Sequence, residues 1–355
     1  MAVSNVPPQA GQIPDETTQG MPPVAMMLRL LNGYLVARSI HVAAQLGIAD
    51  VLHDGPKAAG DIAAAVDAHP DALYRLLRAL AGVGVFAEVE PGSFALTPLG
   101  NCLREDAVPT LGHFARLLGS ESYLQACDCF LQTVQTGRSG FDLAHGISRY
   151  AVFDQDRELE SLYNEAMLDL TSMQIPALLA AYDFSGIQSI VDVGGGQGGL
   201  LTAILVANPH ITGILFERPQ VAEEARAKLK AAGLASRCQV VGGDMAEEVP
   251  EGGDAYIVKH VFMELDDAEA VVVLRNLRRA MHGSSRLLVI DPVLPADNQP
   301  SPATFGDLLM LLLSPGGRCR TPAEFHSLFE TAGLVPGRVI TTPAGTSVVE
   351  ALPGA

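Results

Sequence analysis

The sequence predicts a two-part α/β chain, helical at the N-terminus and built on a parallel sheet thereafter. Two observations carry this. From Ser185 onward short apolar runs alternate with helical ones: "SIVDVGGG", "GLLTAILVANP", "ITGILFE", "AEEARAKLKAAGL", "CQVVGGDM", "DAYIVKHVF", "AEAVVVLRNLRRAM", "SRLLVIDPVLP". Strands alternating with helices make a parallel sheet with crossover connections, the Rossmann-like arrangement. Upstream, three helical segments precede two short strands around a Pro-Gly turn, which is a winged-helix arrangement.

In chain order, residues 1–20, "MAVSNVPPQAGQIPDETTQG", are polar and Pro/Gly-rich and read as a flexible tail. From Met21 to about Gly47 apolar residues recur at three and four, as in "MMLRLLNGYLVARSIHVAAQLGI", an amphipathic helix. It has more apolar faces than one small domain can cover, so it is expected to interlock with a second subunit. "KAAGDIAAAVDA" and "HPDALYRLLRALAGVGV" are the next helices. Asp71 is placed to cap the second, and Gly82 or Gly84 to close it. "FAEVEPGSFALTPLG" supplies the hairpin. Residues after 105 are helical again, interrupted at "TGRSGFDLAHGI". Tyr163, Met167 and Met173 lie on the last of these helices, where such residues at helical spacing are core more often than ligand wall. The expected domains are a winged-helix dimerisation domain over 21–105, a helical connecting segment over 106–182, and the sheet domain over 183–355.

A chain of 355 residues is long for one domain, and 48% hydrophobic with 18% charged residues allows a large core. The formal net charge of −17 argues against a phosphate-backbone ligand and against docking on anionic membranes. A winged helix suggests DNA binding, but residues 1–100 hold five Lys/Arg against nine Asp/Glu, a net of 5 − 9 = −4, the wrong sign for a duplex reader. The five cysteines (Cys102, Cys127, Cys129, Cys238, Cys319) are scattered and odd in number, so no disulfide framework is expected. No signal peptide is visible, and no apolar run reaches the ~18 residues of a membrane span, so a soluble cytoplasmic protein is expected.

"IVDVGGGQGG" places Gly194, Gly196 and Gly199 between an apolar strand and a helix. Glycine there permits positive φ and close approach of a ligand to the backbone. The spacing is that of a dinucleotide site, a weak signal alone. The following strand ends discriminate. Glu217 can accept both ribose hydroxyls, which suits either NAD or S-adenosylmethionine. Asp244 and Met245 fall where an adenine amino group and ring face would lie, and NAD enzymes rarely need that second acid. Asp192, inside the first strand, would repel a pyrophosphate but suits the ammonium of a methionine moiety. A solvated strand end explains any one of these acids; all of them together favour S-adenosylmethionine over NAD.

"VDVGGGQGG", "FERP", "GGDM", "VKHVF…LDD…LRNL" and "GGRCRTPAEF…AGL" resemble the small-molecule O-methyltransferases related to plant caffeate and hydroxyindole methyltransferases, in their bacterial natural-product branch. The resemblance covers almost the whole chain from about Met21. It implies a class I methyltransferase sheet, S-adenosyl-L-methionine as cofactor, an intertwined homodimer built by the N-terminal domain, and a small-molecule substrate. It also implies cofactor contacts at Gly194, Glu217, Asp244, Met245 and Lys259, to which the residues themselves add Asp192 and Gly196. Met167, Met263, Asp307 and Met310 are the candidate substrate-pocket residues, and no metal is expected.

In base-dependent members of that family the segment after the fourth strand reads roughly K-H-V-L-H-D-W-D-D, and its second histidine deprotonates the acceptor. The same register here gives Lys259, His260, Val261, Phe262, Met263, Glu264, Leu265. The base position is therefore Met263. The two glutamates that hold the family's histidine correspond to Asp291 and Cys319. A carboxylate pair has no purpose once the imidazole is absent and would only bury charge. The pattern argues for a site that works without this base. A general base supplies typically ~10²–10⁴-fold, and proximity of a sulfonium methyl can supply as much. His260 is expected to point away from Met263 by strand alternation. Glu264 is the candidate alternative base, although an acid beginning a helix has its own stabilising role. His113 and His145 lie in the segment that covers the site in this family and are candidate substrate contacts.

The leading expectation is a methyltransferase acting on a small aromatic or polyketide-like acceptor by proximity. An alternative of another class is a protein of the same family that binds the cofactor without transferring methyl, as a hydroxylase or pericyclase. A winged-helix regulator that senses the cofactor is disfavoured by charge.

Overall fold

The computed structural model of the chain describes residues 21–297 and 299–354; the tail expected over 1–20 lies outside them. The first helix, Pro23–Gln45, starts on a proline, whose fixed φ suits the first helical turn, and stops before Gly47 in the left-handed region at φ 64°. Only its C-terminal end is buried, at Ala43 and Ala44. Leu30, Leu31, Tyr34 and Leu35 are all more than 60% exposed in the single chain.

A three-stranded sheet follows: β1 (Lys57–Ala58), β2 (Phe86–Glu90) and β3 (Ser93–Leu96) in the order β1-β3-β2. The β2–β3 hairpin turns at Gly92, φ 80°. The two-residue β1 was not legible in the sequence pattern. Helices Ala59–Ala65 and Pro70–Ala81 pack Ile62, Leu73, Leu77 and Leu80 against Phe86 and Phe94. His69 occupies the N-cap position of the second helix without a side-chain cap bond, and Pro70 its first position, so Asp71 sits in the first turn and not at the cap. The stretch "TGRSGFDLAHGI", read above as an interruption, contains a helix, Gly140–His145. Left-handed glycines at 137 and 146 bracket it and the Ser139 hydroxyl caps it, which is why its composition resembles a loop. The long helix Arg157–Ala181 then runs over the main sheet.

The main sheet comprises β4 (Ser189–Val193), β5 (Thr212–Glu217), β6 (Cys238–Gly242), β7 (Ala255–Lys259), β8 (Arg286–Asp291), β9 (Leu334–Thr341) and β10 (Ser347–Pro353), in the order β6-β5-β4-β7-β8-β10-β9. The first five are parallel, and β10 runs antiparallel to both β8 and β9. This final antiparallel pair departs from the parallel sheet expected. Residues 342–346 are too few for a crossover and can only make a hairpin, closed by Gly345 at φ 80°. Strands covered on both faces read as continuous apolar runs, and "AYIV" of β7 is fully buried between two core clusters.

The chain lays down β4, β5 and β6 outward in one direction, then returns to place β7 on the other side of β4. That reversal opens a crevice at the carboxyl ends of β4 and β7, where ligands bind in open α/β sheets.

Candidate functional site

At the end of β4 the backbone turns sharply. Gly194 and Gly196 lie at φ 70° and 57°. A Cβ on Gly194 would sit 2.9 Å from the Val261 side chain, so this position is closed to any larger residue. Gly198, not singled out from the sequence, is left-handed at φ 82° and caps helix Gly199–Ala207.

Above this turn lies a cavity of about 400 Å³, within the usual range for small-molecule sites. Its walls come from two parts of the chain. The sheet contributes Asp192, Gly194–Gly196, Glu217, Met245, Lys259 and His260; the covering helices contribute Tyr150, Tyr163, Asn164 and Met167. Asp244 is exposed and outside this lining; its carboxylate accepts the Ala246 amide at 2.8 Å.

The sheet end of the cavity is electrostatically incomplete. Asp192 is 1% exposed, and neither carboxylate oxygen has a hydrogen-bond partner among the described residues. Burial pushes its pKa up to about 7, against the pull of Lys259 and with help from Glu217. Lys259 is pulled down to about 8 by burial, opposed by Asp192 and Asp291. Burial also raises Glu217, whose carboxylate accepts the neighbouring Arg218 amide. A ligand carrying an ammonium for Asp192, a carboxylate for Lys259 and a diol for Glu217 would complete all three. The methionine and ribose parts of S-adenosylmethionine carry those groups.

His260 corrects the alternation argument. β7 ends at Lys259, and His260 takes a left-handed φ of 56°, so strand alternation no longer applies to it. The ring lines the cavity, with Nδ1 3.3 Å from Lys259 Nζ and Nε2 3.4 Å from the Gln174 amide nitrogen. Burial, then the adjacent Lys259, holds its pKa well below the ordinary value, so the imidazole is neutral.

At the other end Glu264 lines the cavity but is already engaged. Its Oε1 lies 2.6 Å from the buried Arg149 guanidinium, Tyr150 donates its hydroxyl to Oε2, and Tyr163 donates to Oε1 at 3.4 Å. Arg149 drew no notice in the sequence, because one arginine in "GISRYAVF" carries no motif. Met263 lies in the turn Phe262–Glu264 but points away from the cavity lining, into a cluster with Phe141, Phe153, Met310 and Cys319. Asp291 is wholly buried and accepts the Met263 amide. Asp307 accepts the Cys319 amide at 2.7 Å. Neither Asp307 nor Met310 reaches the cavity lining. His113 is held by Asp169, with ring and carboxylate 3.3 Å apart, and His145 Nε2 lies 3.0 Å from the Ser122 carbonyl; both have structural partners away from the cavity.

Family comparison matches residues 28–106 to the O-methyltransferase dimerisation domain and 129–335 to the O-methyltransferase domain. The phenazine O-methyltransferase of Lysobacter antibioticus is 40% identical over 94% of this chain and 97% of its own length. The mitomycin biosynthesis 6-O-methyltransferase of Streptomyces lavendulae is 41% identical over 89% and 90%. Among solved structures, a methyltransferase of calicheamicin biosynthesis in its S-adenosylhomocysteine-bound form superposes with a TM-score of 0.82 at 34% identity, covering 94% of this chain and 100% of that one. Sheet order, incomplete carboxylate and these likenesses agree: the chain belongs to the O-methyltransferase family and is an S-adenosylmethionine-dependent methyltransferase.

Proposed function

We propose that the protein methylates a small, flat aromatic or polyketide-like intermediate of natural-product biosynthesis, as a homodimer, without a histidine general base. The observation that carries this is the pairing within one cavity of the unsatisfied Asp192 and the buried Lys259 with an end walled by Tyr150, Tyr163 and Met167. When bound, S-adenosylmethionine supplies an electrophilic methyl on sulfur. Asp192, Lys259 and Glu217 would hold its ammonium, carboxylate and ribose, with Met245 against the adenine. The covering helices exclude water and present the acceptor to the methyl, a contribution of orientation that can match or exceed a lost base. Met263 cannot take a proton, Glu264 is engaged by Arg149 and two hydroxyls, and the two ring nitrogens of His260 are engaged by Lys259 and Gln174. The acceptor atom is therefore one that is already nucleophilic: an acidic phenol, a carboxylate, a ring nitrogen or an enolic carbon. The likeness to phenazine and mitomycin O-methyltransferases supports this acceptor class.

The test is incubation with S-adenosylmethionine and candidate aromatic intermediates, followed by mass spectrometry. Product with one added methyl should appear in step with S-adenosylhomocysteine. Product without a methyl and without S-adenosylhomocysteine would overturn the reading.

A further inference from the structure

Several polar contacts join the covering helices to the sheet domain around the cavity, among them Gln174 with Lys259 and His260, and three others are unequal in burial. Arg149, 3% exposed, pairs with Glu264 at 2.6 Å. The ring of its neighbour Tyr150 has two guanidiniums over it, Arg149 at 5.3 Å and Arg218 at 4.8 Å from its centre, while its hydroxyl goes to Glu264. Arg218 directly follows Glu217, so Tyr150 joins the ribose side of the cavity to its acceptor side. Tyr150 is also 38% exposed and lines the cavity. The third contact is superficial: Lys228 Nζ meets Glu165 at 3.1 Å, with side chains 44% and 39% exposed.

We propose that Tyr150 is a positioning residue for methyl transfer, the movable wall that shuts the covering helices over the cofactor and must leave Glu264 and Arg218 before the spent cofactor departs. This rests on the S-adenosylmethionine reading of the cavity. A molecule lying between the glycine turn and the Tyr163–Met167 face has one wall from each part of the chain, and it leaves when those walls part. Parting them separates Arg149 from its carboxylate. Stripping one partner from a buried ion pair is strongly disfavoured, whereas an exposed pair such as Lys228–Glu165 contributes little. Of these two ion pairs, the resistance to opening sits at Arg149 and Glu264, where Tyr150 is also engaged. The Tyr150 and Tyr163 hydroxyls, protonated at neutral pH, keep both Glu264 oxygens engaged while the wall is closed.

Release of S-adenosylhomocysteine from the full-length protein, followed by stopped flow with excess S-adenosylmethionine as chase, tests the proposal. Tyr150→Leu should speed release about tenfold or more, the factor that accompanies loss of a hydrogen bond to a charged group. Tyr150→Phe keeps the ring beside the guanidiniums and loses only the hydroxyl, so its rate should fall between. Lys228→Met should change the rate less than about threefold, as expected for an exposed pair. A folded Tyr150→Leu that releases at the wild-type rate overturns the proposal. Should that variant fail to fold, wild-type release from both Tyr150→Phe and Glu264→Gln overturns it equally. If the wild-type protein does not bind S-adenosylhomocysteine, the cofactor reading falls and this one with it; if it binds and the variants do not differ, only this one falls.

Discussion

The Met263 amide donates to Asp291 Oδ2 at 3.0 Å, so this buried acid holds the backbone turn that carries Met263. Its other oxygen has no partner among the described residues, and burial pushes the carboxyl up to about 7 against the pull of Arg320. Sequence reasoning held that a supporting carboxylate has no purpose without its imidazole. The structure gives Asp291 one: it fixes the turn that carries Met263 and Glu264.

Met263 should accordingly behave as a packing residue. Met263→Leu keeps volume and polarity, and such swaps usually cost under ~1.5 kcal/mol, so activity should survive within about tenfold. Met263→His would place a polar ring among Phe141, Phe153 and Met310, costing about 1–3 kcal/mol for an unsatisfied group. Thermal melts should show that loss, and turnover of a phenolic acceptor should not rise. A gain of at least about tenfold, with a pH–rate profile newly bending near neutrality, would mark Met263 as damage to an ordinary base-dependent enzyme.

What could be read from the sequence was what local rules determine. The turn at Gly194 and Gly196 and the acids at Asp192 and Glu217 follow from the ends of apolar strands, and the cavity gathers all four. What escaped was set by distance along the chain or by a single backbone angle. Tyr150 and Glu264 are 114 residues apart, and no spacing rule joins them. His260 enters the cavity because one residue turns left-handed, which strand periodicity cannot express. Met263 and Met310 kept the expected apolar surroundings but pack beside the cavity, because a methionine in a wall and one in a core have the same sequence signature.

Glu217→Gln should weaken S-adenosylmethionine by about 1.5–3 kcal/mol, the range for a hydrogen bond to a charged group. Calorimetry checks this, and unchanged affinity would remove Glu217 from the ribose site.

The first helix makes a prediction about assembly. Leu30 and Tyr34 are 66% and 68% exposed in the single chain, and the matched dimerisation domain spans them. The protein should sediment as a dimer at micromolar concentration, with Leu30→Glu shifting it toward monomer because a charge would be buried at the contact. A fully active wild-type monomer would remove the helix from any subunit interface.

Cofactor binding should also depend on pH in a defined window. Asp192 holds an ammonium only when ionised, and its pKa is about 7. Lys259 holds a carboxylate only when protonated, and its pKa is about 8. Affinity should therefore rise as pH climbs through about 7 and decline beyond about 8, and below the first value binding should release a proton from Asp192. Stability of the cofactor-free protein gives an independent readout of the same group. A carboxyl whose pKa is higher folded than unfolded favours the folded chain while protonated. That contribution is complete below the unfolded value near ~3.9 and is lost as pH rises through about 7. Asp192→Asn, which cannot ionise, should thus melt above the wild-type protein near pH ~8 and lose that advantage near pH ~4, while binding S-adenosylmethionine poorly throughout. Melting curves across this range and calorimetry in buffers of different ionisation enthalpy decide the matter. An affinity flat from about pH 6 to about pH 9 would mean that Asp192 and Lys259 do not hold the charged ends of the cofactor.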